Sequence, residues 1–91
     1  MEVILLQSAQ TDLLEIYSRF GESSYRQIDQ SLESIRRMPF IAPIFHSSIR
    51  RKLVSGTPYG VFYSVEGSRI MVGSVLDLRQ NPEAILRKLQ P

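Results

Sequence analysis

Cysteine and tryptophan are missing from this 91-residue chain, and histidine occurs once, at His46. The first absence excludes disulfides and thiolate chemistry, and it fits a reducing compartment, expected to be the cytoplasm. One histidine without cysteine leaves too few ligands for a transition-metal site, so no metal and no cofactor is expected. A lone histidine among apolar loop residues reads as a partly buried polar side chain rather than a general base. Glycines are solitary: Gly56, Gly60, Gly67 and Gly73 do not gather into a phosphate-cradling loop. Residues 2–6 are apolar apart from Glu2, a run too short for a signal-peptide core or a membrane span. Asp77 and Glu83 lie on opposite sides of a turn, a spacing that does not aim paired carboxylates at one atom. No catalytic residue is therefore evident.

The composition that remains is that of an ordinary soluble domain, with 43% hydrophobic and 22% charged residues. The length is that of one domain, 1–91. Charge is unevenly divided. Residues 1–45 hold four arginines against six acids, and residues 46–91 hold seven bases against three acids. The basic half could face an anionic partner, nucleic acid or acidic peptide, or could be a solvated face.

Along the chain, "EVILL" (Glu2–Leu6) reads as a short strand, apolar at consecutive positions as expected for a central strand or one covered on both faces. Ser8 stands where an N-cap belongs, with Asp12 early in the helix that follows. Leu13, Ile16, Tyr17 and Phe20 share one helical face. Gly21 ends that helix. A second carries Ile28, Leu32 and Ile35 and stops at Pro39, so the two form a helical hairpin. "FIAPIFHSS" (Phe40–Ser48) reads as a crossing loop. The period then changes to two. Ile49–Val54, Tyr59–Val65 and Arg69–Leu76 are strands, with Gly67 in a tight turn between the last two. Asn81 caps a final helix, Pro82 opens it and Glu83 suits its positive end. The expected fold is α+β, in the order β-α-α-β-β-β-α. Its four-stranded, mainly antiparallel twisted sheet has the helices on one face.

Two groups of residues are candidate binding sites. "RRK" places Arg50 and Lys52 on one face of a strand and Arg51 on the other. Together with Arg69 and Arg79, in a regular meander, they would form a strip contacting phosphate or carboxylate. Their structural alternative is to blunt an edge strand. The second group, Asp77, Arg79 and Gln80, lies in "VLDLRQNPEAIL", where helix capping accounts for Asn81, Pro82 and Glu83 but not for these three. Tyr17, Tyr25, Tyr59 and Tyr63 read as mostly core-facing packing.

Three phrases in order are "SAQTDLLEIY" after the first strand, "PYGVFYSVEGSRIMV" in the central hairpin and "VLDLRQNPEAIL" at the end. With the order of elements, they resemble the RelE/ParE superfamily of type II toxin–antitoxin toxins over nearly the whole chain. The resemblance implies a bacterial cytosolic toxin neutralised by a cognate antitoxin, which lays a helix and an extended segment over it, with a toxin–antitoxin heterotetramer as one assembly it allows. An acidic stretch of that partner is expected near Arg50, Arg51 and Lys52.

Within the family, RelE-like members cleave mRNA on the ribosome with a cluster of Arg and Lys plus His or Tyr, whereas ParE-like members inhibit DNA gyrase. This sequence has Gly60 where members frequently carry Arg. The end of its last strand and its tail, Gln90-Pro91, carry neither His nor Tyr, which leaves 2′-OH activation without an agent. It also has Asp77 where ParE-like members commonly show His. The resemblance thus favours the ParE-like branch with gyrase as target. The alternatives are a RelE-like endoribonuclease using Arg50, Lys52, Arg69 and Arg79, or a degenerate toxin retaining only antitoxin binding.

Overall fold

The computed structural model describes residues 1–89; Gln90 and Pro91, the tail of the sequence reading, lie outside the described residues. The elements are β1 (Glu2–Leu5), α1 (Gln7–Arg37), β2 (Ile44–His46), β3 (Ile49–Leu53), β4 (Tyr59–Glu66), β5 (Arg69–Asp77) and α2 (Pro82–Leu89). The fold is α+β, as expected, but the sheet has five strands rather than four, in the order β1-β5-β4-β3-β2. β1 pairs in parallel with β5, and the other pairs are antiparallel.

The added strand, β2, lies inside the segment expected to be a crossing loop. It is three residues long and turns back at Ser47, which adopts φ 54°. A "HSS" reversal lacks the Asn-Gly or Gly signal that marks a two-residue hairpin in sequence, which is why the turn was not legible. The β4–β5 reversal has that signal, with Gly67 at φ 63° between Glu66 and Arg69.

β1 is an edge strand, not a central one. Its run of apolar residues divides between faces, with Val3 and Leu5 packed against the main core. Its ladder stops at Leu5↔Val72. Beyond that point β5 has an open edge, which α1 closes. Asp12 Oδ2 accepts the Val75 N–H at 2.9 Å, and the Ser8 hydroxyl donates to the Gly73 carbonyl. Ser8 and Asp12 therefore satisfy a sheet edge rather than cap a helix. The capping position is Leu6, which makes no side-chain cap bond.

α1 is broken at Gly21, whose φ 76° and ψ −163° are non-helical. Tyr17 and Tyr25 nevertheless meet edge to face at 5.7 Å. In an unbroken helix these positions would be about 12 Å apart along the axis, so the chain folds back into the expected hairpin. The second limb returns to the start of β1, where the Met1 amino group donates to the Arg36 carbonyl at 3.1 Å. Ile16, Ile28 and Ile35 are buried as the helical stripe requires, but Tyr17 and Phe20 are half exposed. Tyr25 is 40% exposed. The packing assignment thus holds for Tyr59 and Tyr63, not for Tyr17 and Tyr25, which pack on each other where the limbs meet.

The helices do not share one face. α1 covers the face formed by Tyr59, Val61, Tyr63, Ile70, Val72 and Val75. α2 covers the opposite face, where Ile85 packs with Phe62 and Leu76. A β-bulge decides which β5 residues look where. Phe62 pairs with Ser74 and Tyr63 with Val72, so Gly73 is the extra residue. The inserted residue resets the alternation and turns both Val72 and Val75 toward α1.

Candidate functional site

The end of β5 supplies the strongest site. A cleft of about 490 Å³ opens between the first limb of α1, the strand ends and α2. Asp12, Glu15 and Arg19 come from α1, Tyr59 from β4, Asp77, Arg79 and Gln80 from the junction, and Lys88 from α2. Three of the sequence candidates, Asp77, Arg79 and Gln80, are thereby brought together. Sequence reasoning missed Asp12, Glu15, Arg19 and Lys88 as members of the site. Their shared helical faces carried the signal, but only the packing of α1 and α2 against opposite sides of the sheet end assembles them.

Each junction residue has a defined partner. Arg79 grips Asp77 with two bonds, Nε to Oδ1 at 3.1 Å and Nη2 to Oδ2 at 2.7 Å. The Arg79 backbone N–H adds a third to Oδ1 at 2.9 Å. These bonds hold the Asp77 carboxyl below the usual carboxylate range. Gln80 donates to the Asp77 carbonyl at 2.8 Å and accepts from Lys88 Nζ at 3.0 Å, which ties α2 to the strand end. Asn81 Oδ1 accepts the Glu83 N–H at 2.8 Å, the expected cap. The Arg79 side chain is 73% exposed, so its remaining N–H donors face solvent from a fixed position.

Tyr59 closes the inner wall and packs edge to face on Phe20 at 6.2 Å. Burial, reinforced by the charge of Asp77, pushes its phenol up, so at neutral pH it is a donor and not a base. Asp12 is pushed up too, because its burial outweighs the bond from Val75. The cleft thus combines fixed groups of both signs with an apolar wall. It suits a protein surface of mixed charge better than a polyanion, which would meet Asp12, Glu15 and Asp77.

The other candidates are elsewhere. Arg69 begins β5, on the order of 26 Å from Asp77 at about 3.3 Å per residue, and lies 3.6 Å from Glu2. Arg50 donates to the Ala42 carbonyl at 2.7 Å and sits over the Phe40 ring at 5.1 Å. Arg51 stacks over Phe45 at 4.8 Å. Lys52 reaches the Leu53 carbonyl at 3.3 Å. The continuous strip of Arg50, Lys52, Arg69 and Arg79 does not form, because Arg69 and Arg79 are at opposite ends of one strand and Arg50 is committed to the loop before β2. Nor does the "RRK" strand blunt an edge, since β3 is flanked by β4 and β2. His46 is exposed on β2, away from the cleft, rather than partly buried as expected. Among the described residues there is no cluster of three or more His, Asp or Glu arranged to hold a metal, and no helix is long and apolar enough to cross a membrane.

Gly60 marks the opposite face. A Cβ there would come within 3.0 Å of Leu78 Cδ2 and 3.3 Å of Arg51 Cγ. The volume above the strand is filled by those two side chains.

No protein-family model matches the chain, and no curated protein is significantly similar in sequence. Solved structures do match. A chain of the chromosomal ParDE TA system from P. aeruginosa superposes with a TM-score of 0.60 at 15% identity, over 86% of this chain and 96% of that one. The YoeB/ParE toxin from Agrobacterium tumefaciens gives 0.68 at 18% identity, over 82% and 95%. The isolated E. coli RelE toxin gives 0.66 at 18% identity, over 97% and 98%. The chain has the fold of the RelE/ParE toxins.

Proposed function

We propose that the chain is the toxin of a toxin–antitoxin pair and acts by binding a protein target, in the manner of ParE-like inhibition of DNA gyrase. The fold supports the first part. The observation that carries the second is the filled face at Gly60. Where the nuclease pattern calls for arginine beside an acid/base group, Leu78 and the stem of Arg51 occupy the space. Tyr63 is buried, its hydroxyl donates to the Pro39 carbonyl at 2.8 Å, and burial pushes its phenol up. His46 stands apart on the edge strand. In-line attack by a 2′-OH needs a proton acceptor and a donor within hydrogen-bond reach; the side chains against Gly60, Leu78 and the stem of Arg51, supply no acceptor, and the carboxylate on this side of β4, Glu66, lies at the far end of the strand and accepts from the Ser64 hydroxyl at 2.9 Å. The mixed-charge cleft around Arg79 is then the target-contacting region, and neutralisation falls to an antitoxin.

The test has two arms. Purified protein added to gyrase and relaxed plasmid is expected to block supercoiling, while mRNA on translating ribosomes stays intact by primer extension. Cuts in the ribosomal A site would replace this reading with the endoribonuclease. A protein inert in both arms that still binds the product of the neighbouring reading frame would be a degenerate toxin.

A further inference from the structure

Tyr59 and Tyr63 both face α1 from β4, and their hydroxyls are used differently. Tyr63 donates to the Pro39 carbonyl at 2.8 Å. Tyr59 is buried too, at 8% exposure. Outside the strand ladder only its backbone is bonded, the N–H to Thr57 Oγ1 at 3.1 Å and the carbonyl to the Val54 N–H at 3.0 Å. Among the described residues its hydroxyl has no partner, although the hydroxyl of a buried tyrosine ordinarily finds one. No side-chain N or O among the described residues is sealed from solvent without a partner. The Tyr59 hydroxyl therefore reaches the open space of the cleft that it lines.

The groups around it are unequally committed. Burial pushes its phenol up most strongly, and the charges of Asp77, Arg79, Arg19 and Glu15 also act on it. It stays protonated at neutral pH and can donate. Asp77 is gripped by Arg79 through both carboxylate oxygens. Asp12 accepts the Val75 N–H, and Lys88 is held by Gln80. Arg19 is different: its Nε lies 3.8 Å from Glu15 Oε1, beyond hydrogen-bond length, and its side chain is 68% exposed. Arg79 spends Nε and one Nη on Asp77, which leaves further N–H groups without a partner among the described residues. Two guanidiniums and a hydroxyl thus face one cleft with donors to spare, against a single loosely paired carboxylate, Glu15. Phe20, half exposed and edge to face on the Tyr59 ring, adds an apolar ledge.

We infer that the Tyr59 hydroxyl, together with Arg19 and Arg79, receives one acidic side chain of the protein target. The carboxylate accepts from the hydroxyl and from both guanidiniums, and the methylene stem of a glutamate lies along Phe20. Hydrogen bonds to an ionised group are about twice as strong as neutral ones. A nucleic-acid backbone would instead bring successive phosphates against Glu15, Asp12 and Asp77. The inference rests on the target-contact reading above and names the chemical group that is contacted.

The test uses the full chain, its tyrosines isotope-labelled at Cζ and its arginines at Nε. It is titrated with N-acetyl-glutamate amide, which offers one carboxylate and no other charge. Saturable movement of the Tyr59, Arg19 and Arg79 NMR signals is expected in the millimolar range, while Tyr63, whose hydroxyl is held by Pro39, stays still. Tyr59→Phe keeps the ring against Phe20 and should bind about five-fold more weakly. Arg19→Ala should weaken binding to a similar degree, and Arg69→Ala, at the far end of β5, should not. N-acetyl-glutamine amide should give no saturable shift. The inference is overturned by no saturable binding, by equal binding of the glutamine amide, by undiminished affinity in Tyr59→Phe or by an equal loss in Arg69→Ala. Tighter binding of methyl phosphate would also overturn it and make the cleft a phosphate site. Gyrase is absent from every arm, so the two readings fail separately. Intact shifts in a protein that does not inhibit gyrase would strike the target and keep the subsite, whereas absent shifts in one that does would strike the subsite alone.

Discussion

The α1 face of the sheet is closed from β1 to β3, with Ile28, Ile35, Tyr63, Ile70 and Val72 at or below 1% exposure. The α2 face rests on Phe62, Leu76 and Ile85, beneath a helix of eight residues. Beside that helix an open groove of about 310 Å³ leaves Met71 and Ile49 only partly covered. The first face is also tied by polar contacts far apart in sequence, Asp12 to Val75 and Tyr63 to Pro39. The second is held by contacts within the junction, Asn81 to Glu83 and Gln80 to Lys88. One face is a folding core and the other a docked lid, and the candidate cleft lies where the two meet.

Truncating each core tests that division most strongly. Ile28→Ala should cost about 2–5 kcal/mol of global stability in urea denaturation, through transfer and cavity terms. Ile85→Ala should fall at or below the lower end of that range, because α2 can detach on its own, with hydrogen exchange accelerating in α2 while β4 and β5 stay protected. Equal losses with uniform exchange would make the molecule one cooperative unit and dissolve the comparison.

The polar tie across the α1 face comes next. Asp12→Ala leaves the Val75 N–H unpaired and should cost about 1–3 kcal/mol. Asp12→Asn keeps an acceptor and removes the charge. Because burial raises the Asp12 pKa above its ordinary 3.8, the folded state holds the proton more tightly than the unfolded state. The resulting stability is fully present below the unfolded value and is lost as pH rises through the folded one. Asp12→Asn should remove that decline, so its stability relative to the parent should improve between pH 4 and pH 7. A widening deficit over the same interval would show that the charged carboxylate is itself stabilising.

On the α2 face, Asn81→Ala should cost about 1 kcal/mol by loss of the cap, expressed as faster exchange in α2 alone. Smallest of all, Arg79→Ala should leave the urea midpoint unmoved, since its pair with Asp77 is largely solvent-exposed. Its effect belongs to function: growth inhibition in cells should fall. A shifted midpoint with toxicity intact would make Arg79 part of the lid rather than of the target surface.

Much of this was legible in advance. The alternation of Tyr59, Val61 and Tyr63, the positive φ at Gly67 and the Asn81-Pro82 cap are local, set by a side chain and its near neighbours, and local rules found them. Asp77, Arg79 and Gln80 were singled out because capping left them unexplained. The strip joining Arg50 to Arg69 failed because a basic run says nothing about which end of a neighbouring strand lies beside it.

What the chain's order of residues determined by itself is the sequence of elements apart from β2, the broken helix at Gly21 and the two apolar helical stripes, since these depend on backbone freedom and periodicity. Only the tertiary structure decided that β1 runs along an edge, that a bulge at Gly73 turns both Val72 and Val75 to one face, and that α2 crosses to the other. It also decided that Asp12 serves a strand edge instead of a helix end. These are choices among partners distant along the chain, made where an unpaired N–H or an uncovered apolar face would otherwise remain, and no local stretch of sequence holds both sides of such a choice.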